Sequence, residues 1–126
     1  MKIKHLGTTE SAPAKAHRVQ KTVLLGKEDG CPNFVVRHFR MEAGGHGFPH
    51  RHDYEHGIFV LGGRAKLVID GEEAQIGSGD AFAIPPNALH TMENAGDQPF
   101  VFLCTIPAHA NEEERVFIDP EASASR

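Results

Sequence analysis

Cysteine is scarce in this chain. Cys31 and Cys104 are the only two, lie far apart and match no metal or redox spacing, so two reduced thiols in a reducing cytoplasm are expected. Positive charge is in deficit: 13 Lys and Arg against 17 Asp and Glu give a formal charge of −4 and a pI near 6.1. No basic face for nucleic acid or an anionic membrane is expected. Long apolar runs are missing as well. The opening MKIKHLGTTES has two lysines with nothing apolar behind them, so neither a signal peptide nor a spanning helix is expected. Helical periodicity is almost absent.

What remains is a series of short alternating strands. At 126 residues the chain is one domain, able to bury about two-thirds of its unfolded surface without a staple. Lys2 to Leu6 reads as a short strand, Ser11 to Ala16 as a small-residue connector, and Arg18 to Leu25 as a strand. Asn33 to Glu42 is a strand running into a glycine turn at Ala43 to Gly47. Ile58 to Leu61, Arg64 to Ile69, Glu72 to Ile76, Ala81 to Ile84, His90 to Asn94 and Gln98 to Ile106 follow, with Asp70-Gly71 as a tight hairpin signal. Ten or so such strands predict an all-β jelly roll or barrel. The division is N-terminal strands and connector over 1–33, the barrel over 34–106, and a polar tail over 107–126, with EEER at 112–115 as one helical turn and Ser123 to Arg126 frayed.

The chemistry concentrates in HRHDYEHG. Neutral imidazole is the commonest protein ligand for a transition metal, and His50, His52 and His56 recur at even spacings. In extended chain, even spacing puts all three on one face and Arg51, Asp53 and Glu55 on the other. His90 is the comparably placed fourth candidate. His5, His17, His38, His46 and His109 sit in terminal, loop or outward-facing positions and are expected to be solvated.

Gly44, five residues, His50, one residue and His52, closed by Gly62, resemble the first cupin motif; Gly79, five residues, Pro85, His90 and Asn94 resemble the second. The chain is similar to a small single-domain cupin, over roughly residues 34–106. Where the family usually has glutamate this chain has His56, and Asn87 stands in place of a glycine. Parity favours His56 over Glu55 as the inward residue, with Glu55 through a local bulge as the alternative. The resemblance implies a double-stranded β-helix, a divalent metal, and N-terminal strands paired across a homodimer.

Four neutral donors, His50, His52, His56 and His90, favour one divalent transition ion, manganese or iron first, with zinc, nickel, cobalt or copper as further possibilities, over magnesium or calcium. On the strand Phe34 to Met41, Arg37 shares a parity with Val35, Phe39 and Met41. It either faces the interior as a cleft cation or lies in solvent at the barrel edge. Phe100, Phe102, Cys104 and Ile106 share a face, as Met92 does with His90; these five residues, His90 apart, are either plain core or the wall of a substrate pocket. The functional reading is a metal-dependent enzyme of oxygenase type acting on a small organic molecule. A non-catalytic small-molecule or metal sensor and a metal-dependent isomerase are the alternatives.

Overall fold

Strand β3 (Phe34–His46) is the longest element and joins two layers. Its sequence explains both halves. FVVRHF is rich in the β-branched and aromatic residues that suit a strand, whereas Gly44, at φ +80°, and the buried Gly45 let the chain bend out of the first layer. A Cβ on Gly45 would sit 2.6 Å from Met41 Cγ and 2.8 Å from the Glu42 carbonyl oxygen, so only glycine fits the bend. The expected turn at Ala43 to Gly47 is thus a bent strand, and His46 pairs with Glu93 in the second layer.

The computed structural model of the protein describes residues 1–110 and the strand at 116–117. Its first layer runs β1 (Ser11–Pro13), β2 (His17–Leu25), β3, β10 (Phe100–Pro107), β5 (His56–Gly62) and β8 (Ala81–Ile84). The second runs β7 (Glu72–Gly77), β6 (Arg64–Ile69), β9 (His90–Glu93), β4 (His50–Arg51) and β11 (Val116–Phe117). All described pairings are antiparallel, as a jelly roll requires. The core between the layers includes Val60, Ala65 and Phe100, each 0% exposed.

Cross-strand register sets what faces inward, because residues directly opposite each other share a face. Arg37, Cys104 and Ile58 form one inward row, with the exposed Val23 at its β2 end, and Lys21, Phe39, Phe102 and Val60 the next. Asp70-Gly71 makes the hairpin turn as expected, both at positive φ (48° and 82°).

Several expectations change. Lys2 to Leu6 is not a strand. Leu6–Thr8 is a single 3-10 turn, held by His5, whose Nδ1 accepts from the Gly7 amide at 2.9 Å and so competes with strand formation. The Ser11 to Ala16 connector contains β1. The N-terminal strands are paired within the chain, β1 on β2 and β2 on β3, so they do not lack the partner that sequence alone suggested. The EEER turn and Ser123 to Arg126 lie outside the described residues.

Candidate metal centre and cavity

The two histidine strands meet at one pair: His50 of β4 lies directly opposite His90 of β9, with ring centroids 4.4 Å apart. The chain then leaves the ladder. Residues 52–55 are not a strand, contrary to the extended reading, yet the alternation survives: His52, Tyr54 and His56 are buried while Asp53 and Glu55 are exposed. His52 thereby swings to 4.7 Å from the His50 ring and 5.1 Å from that of His90. One ring nitrogen from each of His50, His52 and His90 lies within 4.8 Å of the other two. Nitrogen–metal bonds of about 2.0–2.1 Å separate neighbouring ligand atoms by roughly 3–4 Å, so small side-chain adjustments suffice to close this triad on one ion.

Two backbone carbonyls set the tautomers. A carbonyl only accepts, so His50 Nδ1 donates to Phe48 O at 2.6 Å and His90 Nδ1 donates to Ala88 O at 2.9 Å. Nε2 of each ring is left with its lone pair, the form in which imidazole binds a metal. The donor set therefore fits a divalent transition ion.

His56 is also inward, 6% exposed, but joins the group by hydrogen bonds. Its Nε2 is 3.1 Å from His52 Nδ1 and its Nδ1 is 3.1 Å from Cys104 Sγ. Burial, followed by repulsion from His52, Arg37, His90 and His50, pushes its pKa down to about 2, so the ring stays neutral. Tyr54 stacks on His52 at 4.5 Å and on His56 at 5.5 Å. Sequence reasoning undervalued Tyr54, although the parity that selects 52 and 56 also selects 54.

Arg37 is 2% exposed, which removes the solvent alternative. Its Nη2 donates to Cys104 Sγ at 3.1 Å, and its guanidinium carbon lies 5.0 Å from the Phe39 ring centre. It borders an open cavity of about 90 Å³ together with His50, His56, His90, Met92, Phe102 and Cys104. Ile106 does not border this cavity. It is buried opposite Val35, beyond the cavity wall, and is plain core. Three further wall residues, Lys15, Lys21 and Thr91, escaped the sequence reading, because only the β2–β3 register shows that Lys21 faces in beside Phe39. No aspartate or glutamate is among the described residues of the wall.

His38 needs correction too. It is on the outward parity as expected but is 9% exposed, set between Thr22 and Leu103, and burial followed by the nearby Arg40 lowers its pKa.

Residues 37–106, more than half the chain, match the cupin domain family. This chain belongs to the cupin family. The cupin is 28% identical to the polyketide cyclase RemF from Streptomyces resistomycificus, with a TM-score of 0.82 and coverage of 100% of this chain and 94% of that one. It is 32% identical over 69 residues to an uncharacterized protein of Methanocaldococcus jannaschii, covering 53% of this chain and 55% of that protein. It is 27% identical over 77 residues to the 1-methylthio-D-xylulose 5-phosphate methylsulfurylase of Rhodospirillum rubrum, covering 61% and 49% respectively. The chain thus spans about half the length of these two relatives.

The cupin motifs acquire physical reasons here. Asn87 replaces the usual glycine at φ +66°, the left-handed region that asparagine tolerates best after glycine. Its amide donates to the His52 carbonyl at 2.6 Å, so this turn holds the histidine segment. Asn94 is 3% exposed, and its side chain donates to the carbonyls of Met41 and Gln98 at 3.0 and 2.9 Å; it ties β9 to β3 and is structural.

Proposed function

We propose that this cupin is a metal-dependent enzyme acting on a small organic anion that bears a carbonyl group. The observation that carries the reading is one cavity bordered by His50 and His90, by apolar Met41, Phe39, Phe102 and Ile58, and by the buried Arg37. His50, His52 and His90 would hold one divalent ion, and His56 would join them as the fourth donor by giving up its hydrogen bond to His52 Nδ1. When bound, it supplies Lewis acidity toward the substrate carbonyl or, as manganese or iron, electron exchange with dioxygen. Arg37 pairs with the substrate's negative charge, which its burial makes strong and specific. The aromatic and aliphatic wall excludes water and orients the carbon skeleton.

Non-redox carbonyl chemistry is the favoured reaction, supported by the full-length likeness to a polyketide cyclase. The second reading is an oxygenase, favoured by a wholly neutral donor set, which leaves a manganese or iron ion its full charge and suits zinc, nickel, cobalt or copper equally. Either reaction fits a cytoplasmic protein, the compartment proposed from its reduced cysteines.

The test is elemental analysis of protein purified without added metal, followed by two assays on a panel of 2-oxo acids and 1,3-diketones: solvent deuterium exchange beside the carbonyl, and oxygen uptake. Exchange without oxygen uptake supports the first reading and substrate-dependent uptake the second. Metal binding with neither reaction supports a non-catalytic binder or sensor instead and overturns the enzyme.

A further inference from the structure

Three cationic side chains border the one cavity. Arg37 lies beside the histidines, linked to His56 through Cys104 Sγ by two contacts of 3.1 Å. Two more cations line the same space from a different element: Lys21, half-buried on β2, and Lys15, in the turn between β1 and β2. Their placement is set by register. Lys21 is opposite Phe39, two residues along β3 from Arg37, so one strand spacing and one two-residue step separate the two, about 8 Å along the diagonal. The chain as a whole is acidic, with a formal charge of −4, yet three of its cations are gathered around this one cavity.

We propose that the N-terminal hairpin is a specificity element that makes the cavity selective for small dianions. Resting on the metal-site reading above, the inference is that one end of the ligand chelates the ion beside Arg37. A second anionic group, carboxylate or phosphate, reaches the hairpin and is held by Lys21 and Lys15. Phe39 and Phe102, stacked with ring centroids 5.0 Å apart, form the apolar floor between the two ends. The span suits a chain of a few carbon atoms. The hairpin thereby decides which carbonyl compounds enter, while the histidines act on whichever is seated.

The experiment is calorimetric binding to metal-loaded full-length protein using ligand pairs that differ in the second charge. 2-Oxoglutarate against 2-oxopentanoate tests a carboxylate, and D-ribulose 5-phosphate against D-ribulose tests a phosphate. The expected result is that at least one dianion binds about tenfold or more tightly than its partner, as charge-assisted contacts from two cations provide. In K15Q/K21Q that preference should shrink to within about twofold, with metal content unchanged by elemental analysis. A preference of the same sign should persist in protein dialysed free of metal. Protein that holds metal and binds 2-oxopentanoate or D-ribulose without preferring either dianion overturns the hairpin's role and leaves the metal-site reading standing. So does an undiminished preference in the double variant. Failure to hold metal overturns the metal-site reading instead, whatever the ligand preference.

Discussion

Residue Arg37 is where the sequence left a real choice and packing resolved it. A guanidinium at 2% exposure is costly to desolvate unless it is partnered, and Cys104 Sγ and the Phe39 ring are two of the groups it meets. Arg37→Met, close in volume and without charge, should therefore weaken 2-oxoglutarate binding about tenfold or more in calorimetry while leaving metal content intact; unchanged affinity would show that the guanidinium does not meet the ligand. The histidines were more legible, because a period of two needs no knowledge of the ladder: 52, 54 and 56 keep their face even where strand geometry lapses. Alanine at His50, His52, His56 or His90 should cut metal content sharply by elemental analysis, whereas Glu55→Ala should not. Equal loss in the Glu55 variant would return that carboxylate to the ligand set.

At the scale of elements, hairpins joined by strong turn signals were readable, and partners distant in sequence were not. Arg64 to Ile69 and Ala81 to Ile84 match their expected bounds, since Asp-Gly and Pro-Pro-Asn punctuate the chain there. Even the consecutive strands β2 and β3 are joined by a loop, 26–33, that carries no signal for their register, and the role of Lys21 was invisible for that reason. Gly63 makes a different point. At φ +78°, any Cβ would run into the carbonyl oxygen of Pro99 and come within 2.8 Å of Phe100 Cα. Gly63→Ala should destabilise the fold by about 2–4 kcal/mol in urea unfolding, and a loss below about 0.5 kcal/mol would mean that the β5–β6 turn yields easily. The outer face of the first layer, meanwhile, leaves Phe59 and Leu61 46% and 44% exposed on β5. We propose a homodimer burying that face, now that the N-terminal strands no longer argue for one. Sedimentation of a monomer at micromolar concentration would end the idea, and Phe59→Lys should weaken the dimer at least tenfold if it is right.

For the whole molecule, acid is the condition that acts on several groups at once. His56 and His38 both have folded pKa values below the unfolded value near 6.5, so the stability they contribute is complete above that pH and is lost as pH falls beneath it. In metal-depleted protein, calorimetry should show stability declining by about 1 kcal/mol per pH unit below 6.5 from His56 alone, with a shallower slope in His38→Gln than in the unaltered chain. A melting temperature flat from pH 7 to pH 4.5 would contradict this. Strand β4 adds a last consequence. It is only two residues long, and on the side away from β9 its neighbour is β11, with Phe117 opposite His50 and Val116 opposite Arg51. The chain's sequence places Arg115, a trypsin cleavage residue, immediately before that strand. A single proteolytic nick more than sixty residues downstream of His50 would therefore undock its flanking strand. Limited digestion that removes the C-terminal peptide should release the ion to a chelating dye in step with the cut, so that trimming the tail becomes an act of demetallation.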